Sequence, residues 1–447
     1  MKKIVLILIV AFTATFSYSQ TNPAITGWLQ NNSVYGTYYV SGNSTAITNN
    51  ILVNCQAVQY NTTDVYVSTK GIPAYATGPF LDGNPSLATD QSAIYKFPLN
   101  PTEKTGTKTA TTAGNVGVFI NGVSLFDYRD GVAWDNSTGA LCGGPGNPTC
   151  PGGPMANQDW NRDAIPAEMA GFDCSKGHPA NGNYHHHQNP SAFKLDKVVL
   201  STICNLYDAD GLYVIDSNSH SPLIGFAYDG FPIYGAYAYA DTNGTGAITR
   251  MKSGYELTSA TTRTNGPAVN ATYFNGYFKE DYVFVAHPSD VSYLDEHNGR
   301  WCKTPEYPNG TYAYFATVDE NFNSAYPYAV GPTFYGVYSN ASATAVPSGT
   351  TTYTSTVGID ENEFNNLNIT VFPNPASDLI AIQFNDLVEY DYSISLYDMN
   401  GKLLKEKSIN KGQTIAYFDL ETVYAGVYLV KISNENNLKT FRVVVEK

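Results

Sequence analysis

The chain has 447 residues, with 25 Lys and Arg against 39 Asp and Glu and a formal net charge of −14. That acidic surplus leaves no basic patch for nucleic acid or an anionic membrane surface, so neither is expected as a partner. The 35 tyrosines, set among abundant Thr, Val, Asn and Gly, favour strands and turns; heptads, helical repeats and long amphipathic stretches are absent, so the chain reads as mainly β.

Residues 1–19 read as a signal peptide. Lys2 and Lys3 supply the positive start, Ile4 to Phe16 the apolar centre, and Ser17 and Ser19 the small residues before a cut ahead of Gln20. The apolar run is too short for a membrane span, and no later segment approaches spanning length. The mature chain is therefore expected to carry no membrane span and to fold in an oxidising place.

Residues 20–338 have a uniform texture of short β-type runs between Gly, Pro, Asn and Asp clusters. "ILVNCQAVQY", "DVYVSTKGIP", "VGVFINGVSLF" and "GTYAYFATV" read as strands. "NQDWNRDAIPAEMAGFD" has a helical look around Trp160 to Met169, and Pro166 keeps any such helix short. All 6 cysteines (Cys55, Cys142, Cys150, Cys174, Cys204 and Cys302) fall in this region, and disulfides are the expectation outside the cytoplasm. "CGGPGNPTC" encloses a short Gly/Pro loop, which favours Cys142–Cys150 as one pair. Residues 339–360, Ser/Thr-rich and nearly uncharged, read as a linker.

Residues 361–447 hold several short strands, with Asn400-Gly401 and Asn436-Asn437 as turn signals, and are expected to form a small Ig-like β-sandwich. "FPNPASD", "LYDMNGKLL" and "GVYLVKI", in that order and spacing, resemble the C-terminal type A sorting domain of Bacteroidetes type IX secretion cargo. The resemblance covers about residues 366–447. It implies that the type IX machinery is a partner, that the protein is secreted or held at the cell surface, and that the sorting domain is removed on the way.

The densest chemistry is in "GHPANGNYHHHQNP", which holds four of the 7 histidines. On a strand, positions i and i+2 face the same way, roughly 6.5–7 Å apart. His185 and His187 can then converge on one ion, while Tyr184 and His186 face the other way. His178 is the nearest third ligand and His220 the next; a carboxylate, tyrosine or water could be a fourth. The plain alternative is a solvated, histidine-rich loop. Imidazoles suit zinc or copper(II), and with 5 methionines and no Met cluster a soft Cu(I) carrier is not expected.

"YHHHQNP" resembles the signature of YHYH-domain proteins, with Tyr184, His185 and His187 on matching positions and His186 in place of the second tyrosine. "VYVSTKGIP", "NGVSLFD", "HSPLIGFAYDGFPIYG", "TPEYPNGTYAYF" and "AYPYAVGP" resemble the same family in order, so that the likeness spans roughly residues 26–338. The family name describes a motif and implies no activity.

Other candidates are weaker. Asp229, in "FAYDGFPIYG", is a candidate orienting carboxylate or general base, although Asp-Gly is first of all a hairpin turn. "YLDEHNGRW" gathers Asp295, Glu296, His297 and Arg300, as a site or a charged loop. "DADG" (Asp208, Asp210) and "DTNGTG" (Asp241, Asn243) echo calcium loops but lack the closing bidentate acid. The functional expectation is thus a secreted protein holding zinc or copper, with metal-dependent hydrolysis as its extension. The alternative is a non-catalytic surface module, structural or binding a glycan or other small molecule, with the aromatics of "YAYF" or "AYPY" stacking on sugars.

Overall fold

The protein is seen in a computed structural model that describes residues 22–81, 87–153, 156–197, 201–205, 211–338, 341–354, 369–384, 391–398, 402–434 and 438–447. The expected signal peptide, Asp208, Asp210, and the Asn400-Gly401 and Asn436-Asn437 turns lie outside these residues. The chain divides into two compact units, Met1–Tyr353 and Thr354–Lys447.

The larger unit is built on an eight-stranded sheet. Its strand order is His178–Ala180, Asn183–His186, Ser124–Phe126, Asn115–Phe119, Leu223–Ala227, Pro232–Tyr234, Thr311–Phe315 and Gly299–Cys302. The pairings of Asn183–His186 with Ser124–Phe126 and of Pro232–Tyr234 with Thr311–Phe315 are parallel. A five-stranded sheet runs Ser342–Ala343, Ala93–Pro98, Asp64–Thr69, Cys55–Tyr60 and Thr351–Tyr353. One hydrophobic core joins the two sheets, with Trp28, Val67, Phe97, Phe119, Phe226 and Phe315 at its centre. Each of the four stretches read as strands contains one.

The edge strands of the five-stranded sheet correct the linker expectation over residues 341–354; residues 339–340 and 355–360 lie outside the described residues. Ser342–Ala343 pairs with Ala93–Pro98, and Thr351–Tyr353 pairs with Cys55–Tyr60. A polar edge strand, solvated on one side, has the same composition as a linker, while its Thr and Tyr have good strand propensity.

Buried tyrosines explain the composition. Tyr184, Tyr234, Tyr312 and Tyr314 are fully buried, and three of them donate to aspartates: Tyr184 to the buried Asp173, Tyr312 to the half-buried Asp295 and Tyr314 to the buried Asp229, at 2.8, 2.8 and 2.6 Å. Tyr328 donates to Asp163 at 2.7 Å. A phenol brings large apolar area to a core but must spend its hydroxyl on an acceptor there. The aromatics of "YAYF" and "AYPY" are among the buried residues: Thr311–Phe315 is buried at every position, and Tyr326 and Tyr328 are buried too. They are core residues and offer no stacking platform to a sugar.

The cysteine expectation holds in part. Cys142–Cys150 and Cys174–Cys204 are disulfides, while Cys55 and Cys302 are free and buried. Burial raises both thiols above their ordinary pKa.

The smaller unit has a three-stranded sheet (Ile369–Phe372, Leu379–Phe384, Ile415–Asp419) and a four-stranded one (Leu403–Ile409, Tyr392–Asp398, Gly426–Ser433, Leu438–Val445). Its own core contains Ile380, Ile382, Phe384, Ile394, Leu396, Val430, Ile432 and Val443. In Gly426–Ser433, Tyr428, Val430 and Ile432 are buried alternately, as expected of a sheet with one face on a core. The unit is a β-sandwich.

The thiol chemistry makes a prediction. Thiol titration of the chain denatured without reductant will find two reactive thiols, and the native chain almost none, because burial disfavours the thiolate. No thiol after denaturation would contradict the pairing described here.

Candidate metal centre

The centre begins with a hairpin. His178–Ala180 pairs antiparallel with Asn183–His186, placing His178 directly opposite His185 and Pro179 opposite Tyr184. The two residues between the strands, Asn181 and Gly182, have φ of +50° and +81°. Two successive positive φ values in a two-residue loop are what a type I′ turn needs, and Asn-Gly is its preferred sequence. Opposite residues on paired strands share a face, so the turn brings His178 to the face that His185 and His187 share by alternation.

Gly177 fits the same hairpin. A Cβ there would sit 2.4 Å from the Tyr184 ring and 2.9 Å from His186, so any side chain would push the strands apart. On that opposite face Tyr184 donates to Asp173, whose carboxylate also accepts from the amides of Gly78, Ser175 and Gly177. His186 meets the Tyr75 hydroxyl at 2.7 Å. The histidine that departs from the family motif is thus buried and paired with a phenol from elsewhere in the chain.

On the first face, the ligand atoms of His178, His185 and His187 all lie within 4.8 Å of one another, and all three residues are buried. The ring of Phe126 stacks on His185 at 3.8 Å, and Phe172 meets His178 edge-on at 4.8 Å. The His185 and His187 rings are also held by hydrogen bonds. His185 Nδ1 is 2.9 Å from the Asn183 carbonyl oxygen, and His187 Nδ1 is 2.5 Å from the Asp127 carbonyl oxygen. A carbonyl only accepts, so each Nδ1 carries the proton and each Nε2 presents a bare lone pair. These two Nε2 atoms are 3.1 Å apart. Neither ring nitrogen of His178 has a hydrogen-bond partner.

Sequence reasoning missed one residue here. Glu168 Oε2 lies 3.4 Å from His178 Nε2 and 3.4 Å from His187 Nε2. It is the last residue of the short helix Ala164–Glu168, which is capped by Asp163 accepting from the Ile165 amide. Pro166 falls in the first turn of that helix, where its missing N–H costs nothing. The neighbouring minor core of Ile165, Phe172, Cys174, Phe193, Cys204 and Tyr328 holds this platform against the hairpin.

Burial sets the electrostatics. It lowers His178 to about 3, assisted by the charges His187 and His186 would carry, and lowers His187 to about 4. His185 is lowered well below the ordinary imidazole value by burial and then by His187 and His178. At neutral pH the cluster is therefore three neutral imidazoles, the form in which histidine binds metal.

The other candidates lie apart from this group. His220 hydrogen-bonds the Ser221 carbonyl through Nδ1 at 2.7 Å and packs against the rings of Tyr234 and Tyr239, so it does not join the three histidines; it is the next histidine in sequence, and the fold carries it elsewhere. Asp229 is fully buried and accepts from Tyr314, Gly336 and Phe231, none of them a histidine. Burial raises it to about 6, against the pull of those donors. It stands at the turn between Leu223–Ala227 and Pro232–Tyr234, the hairpin role its Asp-Gly dipeptide favours. In "YLDEHNGRW", Arg300 is buried and donates to the carbonyls of Val291 and Tyr239, and His297 meets Thr333, so this loop braces the interior. Asp241 and Asn243 form an exposed turn closed by Thr245.

Comparison with known proteins finds two matching sequence profiles. The sequence profile described as "YHYH protein" matches residues 94–327, and that described as "Secretion system C-terminal sorting domain" matches residues 370–446. An endo-acting ulvan lyase of Formosa agariphila is 31% identical over 91 residues, 20% of this chain and 17% of that protein; the chain thus spans under a fifth of that relative. A solved DUF3244 family protein with an immunoglobulin-like β-sandwich fold, from Bacteroides vulgatus, is 21% identical over 18% of this chain and 88% of its own, with a TM-score of 0.17.

The lowered imidazoles can be tested without metal. The folded state favours the neutral ring, so these histidines stabilise the metal-free fold above the unfolded pKa of about 6.5. That contribution is lost as pH falls towards the lowered folded values. NMR of imidazole nitrogens in the metal-free chain should find His178 and His187 still neutral at about pH 5, well below the ordinary midpoint. Midpoints near the ordinary value would contradict the burial described. The sorting domain at the C-terminus makes this a protein secreted by the type IX system to the cell surface or beyond, and the match over residues 94–327 establishes that the chain belongs to the YHYH protein family.

Proposed function

We propose that this secreted YHYH protein binds one transition-metal ion through the Nε2 atoms of His178, His185 and His187. One observation carries the reading: two bare Nε2 lone pairs, fixed by carbonyl bonds at the far side of each ring, face each other 3.1 Å apart inside the protein. Neutral rings in these tautomers cannot hydrogen-bond to each other, and burial opposes adding a proton. A cation between them turns the repulsion into coordination. The carbonyl partners at Nδ1 also fit, since metal-bound histidines commonly donate through the second nitrogen, which fixes the tautomer.

Three imidazoles in an oxidising location favour zinc or copper(II). An ion that keeps a water ligand would lower that water's pKa towards about 7 and supply a hydroxide for hydrolysis; on this reading the protein is a metal-dependent hydrolase. The glycan-binding alternative loses its support because the aromatics proposed for it are buried.

Elemental analysis of the full chain, exported to an oxidising compartment and purified without a histidine tag, tests the proposal. We expect close to one zinc or copper per chain, lost in the His185→Ala/His187→Ala double variant. A folded wild type that is metal-free and takes up neither ion would sink it.

A further inference from the structure

We infer that Glu168 is the fourth ligand of this centre and its one releasable ligand, an inference that rests on the three-histidine reading. The first argument is distance. In a tetrahedral site with metal–ligand bonds of about 2.0–2.1 Å, donor atoms stand roughly 3.3–3.4 Å apart. Glu168 Oε2 is 3.4 Å from both His178 Nε2 and His187 Nε2, and the His185–His187 separation is 3.1 Å.

The second argument is charge. His187 already donates its Nδ1 hydrogen to the Asp127 carbonyl, so the Glu168 carboxylate faces the bare lone pair of Nε2, which an ion between the two would relieve. An N3O donor set with one negative charge also offsets a divalent cation buried in a low-dielectric site better than three neutral rings do.

The third argument concerns exposure. The Glu168 side chain is 26% exposed, against 8% for His178 and 3% for His187. The histidines are held on a hairpin within a sheet, whereas Glu168 ends a five-residue helix. Of these donors the Glu168 side chain is the most exposed. With Glu168 bound, the ion is closed to solvent; with Glu168 released, it offers one position to water or to a small exogenous anion.

The probe is copper(II) alone, added to metal-free full-length wild type, Glu168→Gln and Glu168→Ala, with azide as the competing anion. Circular dichroism and the thiol count check folding. The variants should still load near one copper per chain but more weakly, by roughly 10–100-fold. Their electron paramagnetic resonance spectra should differ from wild type in axial parameters while keeping nitrogen hyperfine structure. Azide should bind them at concentrations that leave wild type unchanged. If wild type loads copper and the folded variants match it in affinity, spectrum and azide response, the Glu168 assignment is overturned and the three-histidine centre stands. A wild type that loads no copper overturns both.

Discussion

The register of one hairpin governs the candidate centre. Because side chains on a strand alternate, a one-residue slip between His178–Ala180 and Asn183–His186 would send His178 to the opposite face. The Asn181-Gly182 turn pins that register through two positive φ angles, and Gly177 lets the Tyr184 ring approach the backbone. The parallel pairing of Asn183–His186 with Ser124–Phe126 then ties the hairpin to the main sheet. It also brings Asp127 to the place where its carbonyl fixes the His187 tautomer. Two faces of one four-residue strand thus serve different ends: imidazoles on one, a Tyr–Asp hydrogen-bond network on the other.

Buried polar groups among the described residues are met unevenly: Asp127 Oδ2, Ser175 Oγ and Asn189 Oδ1, among others, have no hydrogen-bond partner. Buried phenols and carboxylates satisfy each other, as in Tyr314–Asp229 and Tyr328–Asp163, because an unmet polar group in the interior costs about 1–3 kcal/mol. In the histidine cluster, His178 has no hydrogen bond at either nitrogen and two lone pairs oppose each other. What sets this cluster apart is convergence: the ligand atoms of three buried histidines lie within 4.8 Å of one another. A coordinated ion is the simplest reason for it.

Much of this could be read from residue order. The sorting sandwich was legible because its three motifs carry strand and turn chemistry together, and His185 and His187 were legible through strand alternation alone. Cys142–Cys150 followed from its short loop. Other features depend on long-range contacts that one sequence does not display. His178 was placed only by nearness in sequence, although Asn181-Gly182 is a hairpin signal and the turn sets His178 opposite His185. Glu168 stands in a helix read only as short, and the tertiary fold alone carries its carboxylate to the hairpin. "YAYF" looked like an exposed aromatic strip because alternation cannot mark a strand buried on both faces. The Ser/Thr stretch failed for the opposite reason, since a solvated edge strand and a linker share a composition.

The central claim is that histidine nitrogens from this hairpin surround a metal ion. X-ray absorption at the edge of whichever metal copurifies with the full chain tests it most directly. The account predicts about four nitrogen or oxygen neighbours near 2.0–2.1 Å, together with the outer-shell scattering that imidazole rings produce. A shell of oxygen alone, without imidazole scattering, would place the ion on the acidic surface and contradict the account.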